Sequence, residues 1–398
     1  MALVEAAPFV REGVPGVKRG AWTGIALLAA GSTSAAAQAE DEARPVVALS
    51  YVTDILSNVD GGEKRGTAWL GRADLTVEVP GDVLGLGGVD LFADLMFLHG
   101  NDLSGRLVGD GQVVSNIDAP SDLRPIEIWA NVDLSGGRRI KMGIIDLNSE
   151  FDVQQVGTLF LNSSHGIGPD FSQSGHNGPS IFPSTSLGLV AEQATERYEL
   201  RAGIFDALPG TLGDPRRLVV RAPIKHGALL AAEGQINLSQ DTLLRVGGWH
   251  YTKGFDRLDP SEPRRGHSSG VYAMAEGRLF EAKSRSGDAW VRVGTARSEV
   301  NPIATSVGAG FSYGDDNQKV GVAVAYARLG DPALARFRAE GVDPERAETA
   351  IELTYAKRIS SNLQLQPNLQ YIVNPGWDRD RSDALVMGLR LAFDFTLR

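Results

Sequence analysis

His165 and His176 stand in the Gly-, Ser- and Pro-rich stretch from Asn162 to Pro183, together with Asp170 and several serines. These are the residue types from which a hydrolytic triad is built, but a triad is defined by geometry and not by composition. None of the signatures that would carry such geometry occurs: there is no G-x-S-x-G turn, P-loop, H-E-x-x-H pair or EF-hand ligand spacing. The simpler expectation is that both histidines are solvated loop residues, and that Asp378-Arg379-Asp380-Arg381 is a solvated loop of alternating charge. The absence of cysteine excludes thiol catalysis, Cys-ligated zinc and a disulfide scaffold. No catalytic residue, metal or cofactor is expected. With 39 Lys+Arg against 49 Asp+Glu, the chain has a net charge of −10, so it lacks the clustered basic residues that displace counterions from phosphates, and nucleic acid is not an expected partner.

What remains is a set of charged, amide and aromatic side chains spaced two apart, and that spacing belongs to strands. In NLQLQPNLQY, Leu363, Leu365, Pro367, Leu369 and Tyr371 share one face, while Asn362, Gln364, Gln366, Asn368 and Gln370 share the other. Leu385, Met387, Leu389, Leu391, Phe393 and Phe395 likewise oppose a face that carries Arg390 and Asp394, and Ile351, Leu353 and Tyr355 oppose Glu352. Ile126, Ile128, Ala130 and Val132 oppose Glu127, Trp129, Asn131 and Asp133. Marking all such segments gives about sixteen candidate strands, the first and the central ones being the least regular. Leu243–Tyr251 and Val271–Leu279 do not alternate cleanly.

Connections supply a second test. Short links at Ser135-Gly136-Gly137, Ser239-Gln240, Ala282–Ser286, Gly314–Gln318 and Ser360-Ser361 alternate with long ones. The long ones include His99–Leu123, Asn148–Pro183, Ala207–Lys225 and Gly330–Ala347, and the link near Val300–Ile303 is shorter than its place predicts. Lys18 and Arg19, the apolar run Ala21–Ala30 and the small residues up to Ala39 read as a secretory signal peptide, residues 1 to about 39. No later apolar stretch is long enough for a membrane helix. Export, an uninterrupted strand series over residues 40–398 and alternating loop lengths predict an all-β fold. The expected form is a closed up-and-down transmembrane β-barrel of about 16 antiparallel strands with long surface loops. Closure satisfies every backbone donor and acceptor inside lipid.

In such a barrel the apolar faces meet lipid and the polar faces enclose water. Glu127, Trp129, Glu199, Arg201, Trp290, Arg292, Glu352, Gln366, Gln370 and Arg390 are thereby expected to face the lumen, as pore-lining residues or as ion-paired braces of the wall. Loop Asn148–Pro183 carries Phe151, Phe160, Phe171 and Phe182. Folded inward, it is expected to narrow the passage and offer rings to sugar faces.

These residues resemble the carbohydrate-selective porin family, OprB type. The resemblance rests on ETAIELTYAKRISSNLQLQPNLQYIVNPG and ALVMGLR near the end, on KMGIIDLNSEF from Lys141, on Ser180-Ile181-Phe182-Pro183, on GGWHYT and on SGVYAMAEGRL. It spans about Gly66 to Phe395. It implies a sixteen-stranded outer-membrane barrel with a narrowed, partly Arg-lined channel passing sugars by diffusion. It also implies lumen roles for Glu348, Glu352, Gln366, Gln370 and Arg390, with Phe182 and Pro183 ending the constriction loop. Two departures stand out: the chain ends Phe395-Thr396-Leu397-Arg398 and not on an aromatic residue, and aromatics make up only 7%.

The expected function is passive diffusion of small hydrophilic solutes, carbohydrates foremost. Expected partners are these solutes, outer-membrane lipid, the barrel-assembly machinery and further copies in a homo-oligomer. The alternative readings are a barrel enzyme or a surface-binding outer-membrane protein without transport, and an exported soluble β-protein.

Overall fold

The computed structural model describes residues 44–221 and 226–397; residues 1 to about 39, expected to be a signal peptide, lie outside them. Sixteen strands follow one another: β1 (Val46–Asp60), β2 (Gly66–Pro80), β3 (Val89–Gly100), β4 (Asp122–Leu134), β5 (Arg138–Ile145), β6 (Ser186–Ala194), β7 (Tyr198–Asp206) and β8 (Ala228–Ser239). The second half is β9 (Thr242–Asp256), β10 (Arg265–Ala282), β11 (Arg285–Ala296), β12 (Ile303–Gly314), β13 (Gln318–Leu329), β14 (Ala347–Ser360), β15 (Leu363–Val373) and β16 (Ala384–Leu397). Each strand pairs with its sequence neighbours, and β16 returns to β1, so the sheet is a closed barrel. The seam is as regular as the rest: Asp54 faces Arg390, and Ile55 faces Leu389 across it.

Period-2 geometry turns this register into two surfaces. Across four strands Val322 pairs with Leu353, Leu353 with Leu369, and Leu369 with Met387. All four are exposed, as are Val320 and Tyr355, which pair in the neighbouring row, and Phe395 near the end of β16. This is the apolar belt that lipid covers. One residue along, Glu352 pairs with Gln370 and Gln366 with Arg390, and these are buried inside. A charge on the belt would cost about 2–4 kcal/mol at the bilayer midplane, so the polar set faces inward.

Short turns close one end, at 135–137, 240–241, 283–284, 315–317 and 361–362. The links between β1 and β2, at 61–65, and between β11 and β12, at 297–302, are short for the opposite end, where the other loops are longer. There the helix Asp331–Ala339 caps β13 and packs Ala333 and Leu334 on Ile303, Leu329 and Trp377.

Two loops enter the barrel. Loop 101–121 carries one π-helical turn, Ser104–Val108, and loop 146–185 carries three 3-10 turns and a helical turn, Pro169–Ser172. They explain why β9 and β10 alternate poorly in sequence. Trp249, Tyr251, Tyr272 and Met274 point inward yet are apolar, because they pack against the loop residues Phe171, Phe160 and Ile167. β10 also carries register shifts near His267 and Arg278.

Candidate functional site

Loop 146–185 is held to the barrel wall step by step, and the anchors are largely the inward residues of the strands. Glu127 accepts from the Asp146 N–H at 3.1 Å. Arg201 donates to the Glu150 carbonyl at 2.7 Å, and Glu233 accepts from the Asp152 N–H at 2.9 Å. Arg292 forks onto both oxygens of Asp152 at 2.7 Å and reaches Asp170 at 2.6 Å. The Trp290 indole N–H donates to Gln154 at 2.7 Å, and Glu276 accepts from the Val156 N–H at 3.3 Å. Gln366 donates to the Leu159 carbonyl at 2.6 Å. Glu352 accepts from the Leu161 and Asn162 N–H groups at 2.7 and 2.9 Å, and Gln370 accepts from the Asn162 side chain at 3.2 Å. From 146 to 162 the loop thus travels along the wall from β4 to β14 and β15, forming an inner hoop.

Loop 101–121 is held in the same way. Glu348 accepts from the N–H groups of Gly111, Gln112 and Gly376 at 2.8, 2.9 and 2.6 Å. Arg390 forks onto Asp54 at 2.7 and 2.8 Å and donates to Asn116 at 2.7 Å. The loops are also joined backbone to backbone, Asn116 N–H to the Leu161 carbonyl at 2.7 Å and Ser163 N–H to the Val113 carbonyl at 2.9 Å.

Burial divides the inward residues into two groups. Arg292, Glu348, Glu352, Gln366, Gln370 and Trp290 are buried beneath the loops. By contrast the side chains of Arg139, Glu199 and Arg201 keep 19%, 19% and 9% of their surface open. These three belong to a ladder of alternating charge across β5 to β10. Arg139 bridges Glu150 and Glu192 at 2.8 and 2.6 Å, and Lys141 meets Glu150 at 2.5 Å. Arg201 contacts Glu192 at 3.0 Å and also pairs with Glu199, and Arg245 lies between Glu233 and Glu276 at 3.8 and 3.6 Å. Burial raises the Glu150 carboxyl, but Arg139, Lys141 and Arg201 outweigh it and hold it well below the usual carboxylate range. Trp129 is half-buried, stacked on Phe92 at 4.9 Å with the Lys141 ammonium 4.2 Å from its ring centre.

Sequence periodicity did not single out Arg139, Lys141, Glu192, Glu233, Arg245 or Glu276. The first two were readable from the spacing R-R-I-K-M-G in β5. Arg245 and Glu276 sit on the two strands whose inner face is apolar, and Asp54, Glu150, Asp152 and Asn116 gave no periodic signal.

Three expectations are corrected. His165 is not solvated: it is fully buried, its ring 5.2 Å from Phe160 and 5.7 Å from Trp290, with Nε2 3.7 Å from Glu352. Burial pushes its pKa down to about 3, so it is neutral. His176 is exposed and lies on Phe255. Arg381 is not simply solvated either, since it donates to the Gly109 and Pro375 carbonyls at 2.9 and 3.0 Å, fastening one loop to another. The loop phenylalanines are not offered to solute faces: Phe151, Phe160, Phe171 and Phe182 are all buried. Phe171 stacks on Trp249 at 5.1 Å, Phe182 lies under the Arg72 guanidinium at 5.0 Å, and Pro183 follows it at the loop's return to β6. Their area stabilises the inward position of the loop.

A closed barrel, an inner hoop and a ladder of charge in which Arg139 and Glu199 stay partly open to water can pass hydrophilic solutes. Comparison with known proteins agrees. The fold is shared with Pseudomonas putida OprB in its high-pH structure, at TM-score 0.78 and 17% identity over 91% of this chain and 96% of that one. The low-pH structure of the same protein aligns at TM-score 0.57 and 16% identity over 90% and 95%. A triple mutant of the Rh. blastica porin aligns at TM-score 0.51 and 12% identity over 88% and 100%. No curated protein matches the sequence. Residues 98–395 match the family model described as carbohydrate-selective porin, OprB family. This chain is therefore a member of the carbohydrate-selective porins of the OprB family, a channel of the outer membrane through which carbohydrates diffuse passively.

Proposed function

We propose that solutes cross beside the inner hoop and that the lumen residues divide their work. Arg201, with Arg139 and Glu199, meets the solute: fixed guanidinium donors and carboxylate acceptors side by side suit the hydroxyl groups of a sugar. Trp129 adds an apolar edge to this polar track. Glu127, Trp290, Arg292, Glu348, Glu352, Gln366, Gln370 and Arg390 act through the loops they hold, and Phe160, Phe171, Phe182 and Pro183 keep the constriction loop folded inward. The observation that carries this reading is that Arg139 and Glu199, which flank Arg201 in the ladder, each keep 19% of their side-chain surface open, whereas Arg292, Glu348, Glu352 and Gln370 are closed off beneath the loops. Binding along the ladder must be weak enough for release.

The chain is proposed to be exported by its N-terminal segment, inserted by the barrel-assembly machinery with Phe393 and Phe395 supplying its terminal signal, and free of catalysis, metal and cofactor. Association into a homo-oligomer is proposed through the lipid-facing belt. Planar-bilayer recording tests the reading: Arg201→Ala is expected to weaken block by disaccharides about threefold while leaving the conductance level discrete. Unchanged block in Arg201→Ala and Arg139→Ala would remove the ladder from the solute path. A folded barrel that conducts nothing would favour the surface-binding or enzymatic alternative.

A further inference from the structure

The guanidinium of Arg292 is 1% exposed and sits among groups drawn from three elements. From β11 it forks onto Asp152 and reaches Asp170, which stand eighteen positions apart in the hoop. It also donates to Ser306 of β12 at 2.9 Å, and Ser306 in turn donates to Asp170 at 2.5 Å. The Tyr272 ring lies 5.0 Å away on its face. Two glycines make room for this arrangement. A Cβ on Gly168 would stand 2.0 Å from the Arg292 Cζ, and one on Gly294 would stand 2.4 Å from both Arg292 Nη1 and Asp170 Oδ2. The Gly168 N–H donates to Asp152 at 3.1 Å, which closes the outgoing and returning arms of the hoop on one another.

We propose that Arg292 is the positioning residue of the passage: its clamp on Asp152 and Asp170 holds both arms of the hoop against β11 and β12, and thereby fixes one defined aperture. The inference rests on the porin reading and adds to it the residue that sets the opening. With the guanidinium present, two carboxylates share one cation and every close contact is a charge-assisted hydrogen bond. With it removed, Asp152 and Asp170 are left as uncompensated charges beside each other, and a buried charge without its partner is strongly unfavourable. The barrel does not depend on the clamp, since all sixteen strand pairings are made elsewhere. The hoop is therefore what yields, and the aperture becomes a distribution of openings.

The test uses the full chain reconstituted in planar bilayers, restricted to protein that migrates as a folded, heat-modifiable barrel. Arg292→Ala is expected to replace a discrete conductance level by a broad, fluctuating current and to weaken disaccharide block about fivefold. Arg292→Lys keeps the charge without the fork and is expected to fall between. Adding Asp152→Asn and Asp170→Asn to Arg292→Ala removes the stranded charges and is expected to restore a discrete level, which loss of packing alone would not do. Because the chain contains no cysteine, a reporter Ser164→Cys in the buried hoop gives an independent reading, with thiol labelling about tenfold faster in the Arg292→Lys background than beside the native arginine. A discrete level and slow labelling in the Arg292 variants, or no rescue by the two asparagines, would overturn the clamp. Absence of conductance in the unsubstituted chain would instead overturn the porin reading beneath it.

Discussion

At the scale of single residues, the interior is governed by whether a polar group is wet or dry. His165 is dry, and burial keeps its ring neutral with a pKa pushed down to about 3. In the unfolded chain the same ring takes up a proton below about pH 6.5. Between these two values the unfolded state binds more protons, so stability falls as the pH falls. His165→Gln is expected to recover about 2 kcal/mol of that loss at pH 4.5 relative to pH 7.5, read from the pH dependence of thermal unfolding in detergent. An identical pH profile in the two proteins would show that His165 does not carry this acid sensitivity. Glu150 behaves oppositely: held below the usual carboxylate range by Arg139, Lys141 and Arg201 despite its burial, it contributes stability above the ordinary carboxylate pKa that is lost only as the pH falls through its own lower value.

At the scale of elements, the two inward loops form one body. Glu348 holds the first, Glu352 holds the second, and the Asn116–Leu161 and Ser163–Val113 hydrogen bonds join them. Removing either carboxylate strands buried backbone N–H groups, at a cost of about 1–3 kcal/mol. Glu348→Ala and Glu352→Ala are therefore expected to be non-additive, coupled by at least about 0.5 kcal/mol in a double-mutant cycle of thermal stability. Strict additivity would mean that the loops move independently. This joint also marks how far the sequence could be read. Gln366, Gln370, Glu352 and Arg390 were legible because β14, β15 and β16 meet the loops through polar atoms, so their two faces differ in character. β9 and β10 meet the same loops through Trp249, Tyr251, Tyr272 and Met274, and apolar groups on the inner face erase the contrast on which periodicity depends. Asp152, Asp170 and Asn116 become readable only once the chain is closed, because their partners are more than a hundred positions away in sequence.

At the scale of the whole molecule, the belt that includes Val322, Leu353, Leu369 and Met387 faces hydrocarbon while the charged interior faces water, and closure through β1 and β16 leaves no free edge. Strand order and most of the loop alternation were present in the sequence, because lipid imposes a period of two on strands whose inner face is polar. The exposure of individual lumen residues was not, since it is set by where the hoop lies. The most direct test of the central claim is single-channel recording of the purified, heat-modifiable protein with a disaccharide added on one side. Discrete conductance steps that diminish as the sugar concentration rises are the predicted result. A folded barrel that carries no current, or whose current no sugar affects at any concentration, would contradict the account of a carbohydrate-passing pore narrowed by its inner hoop.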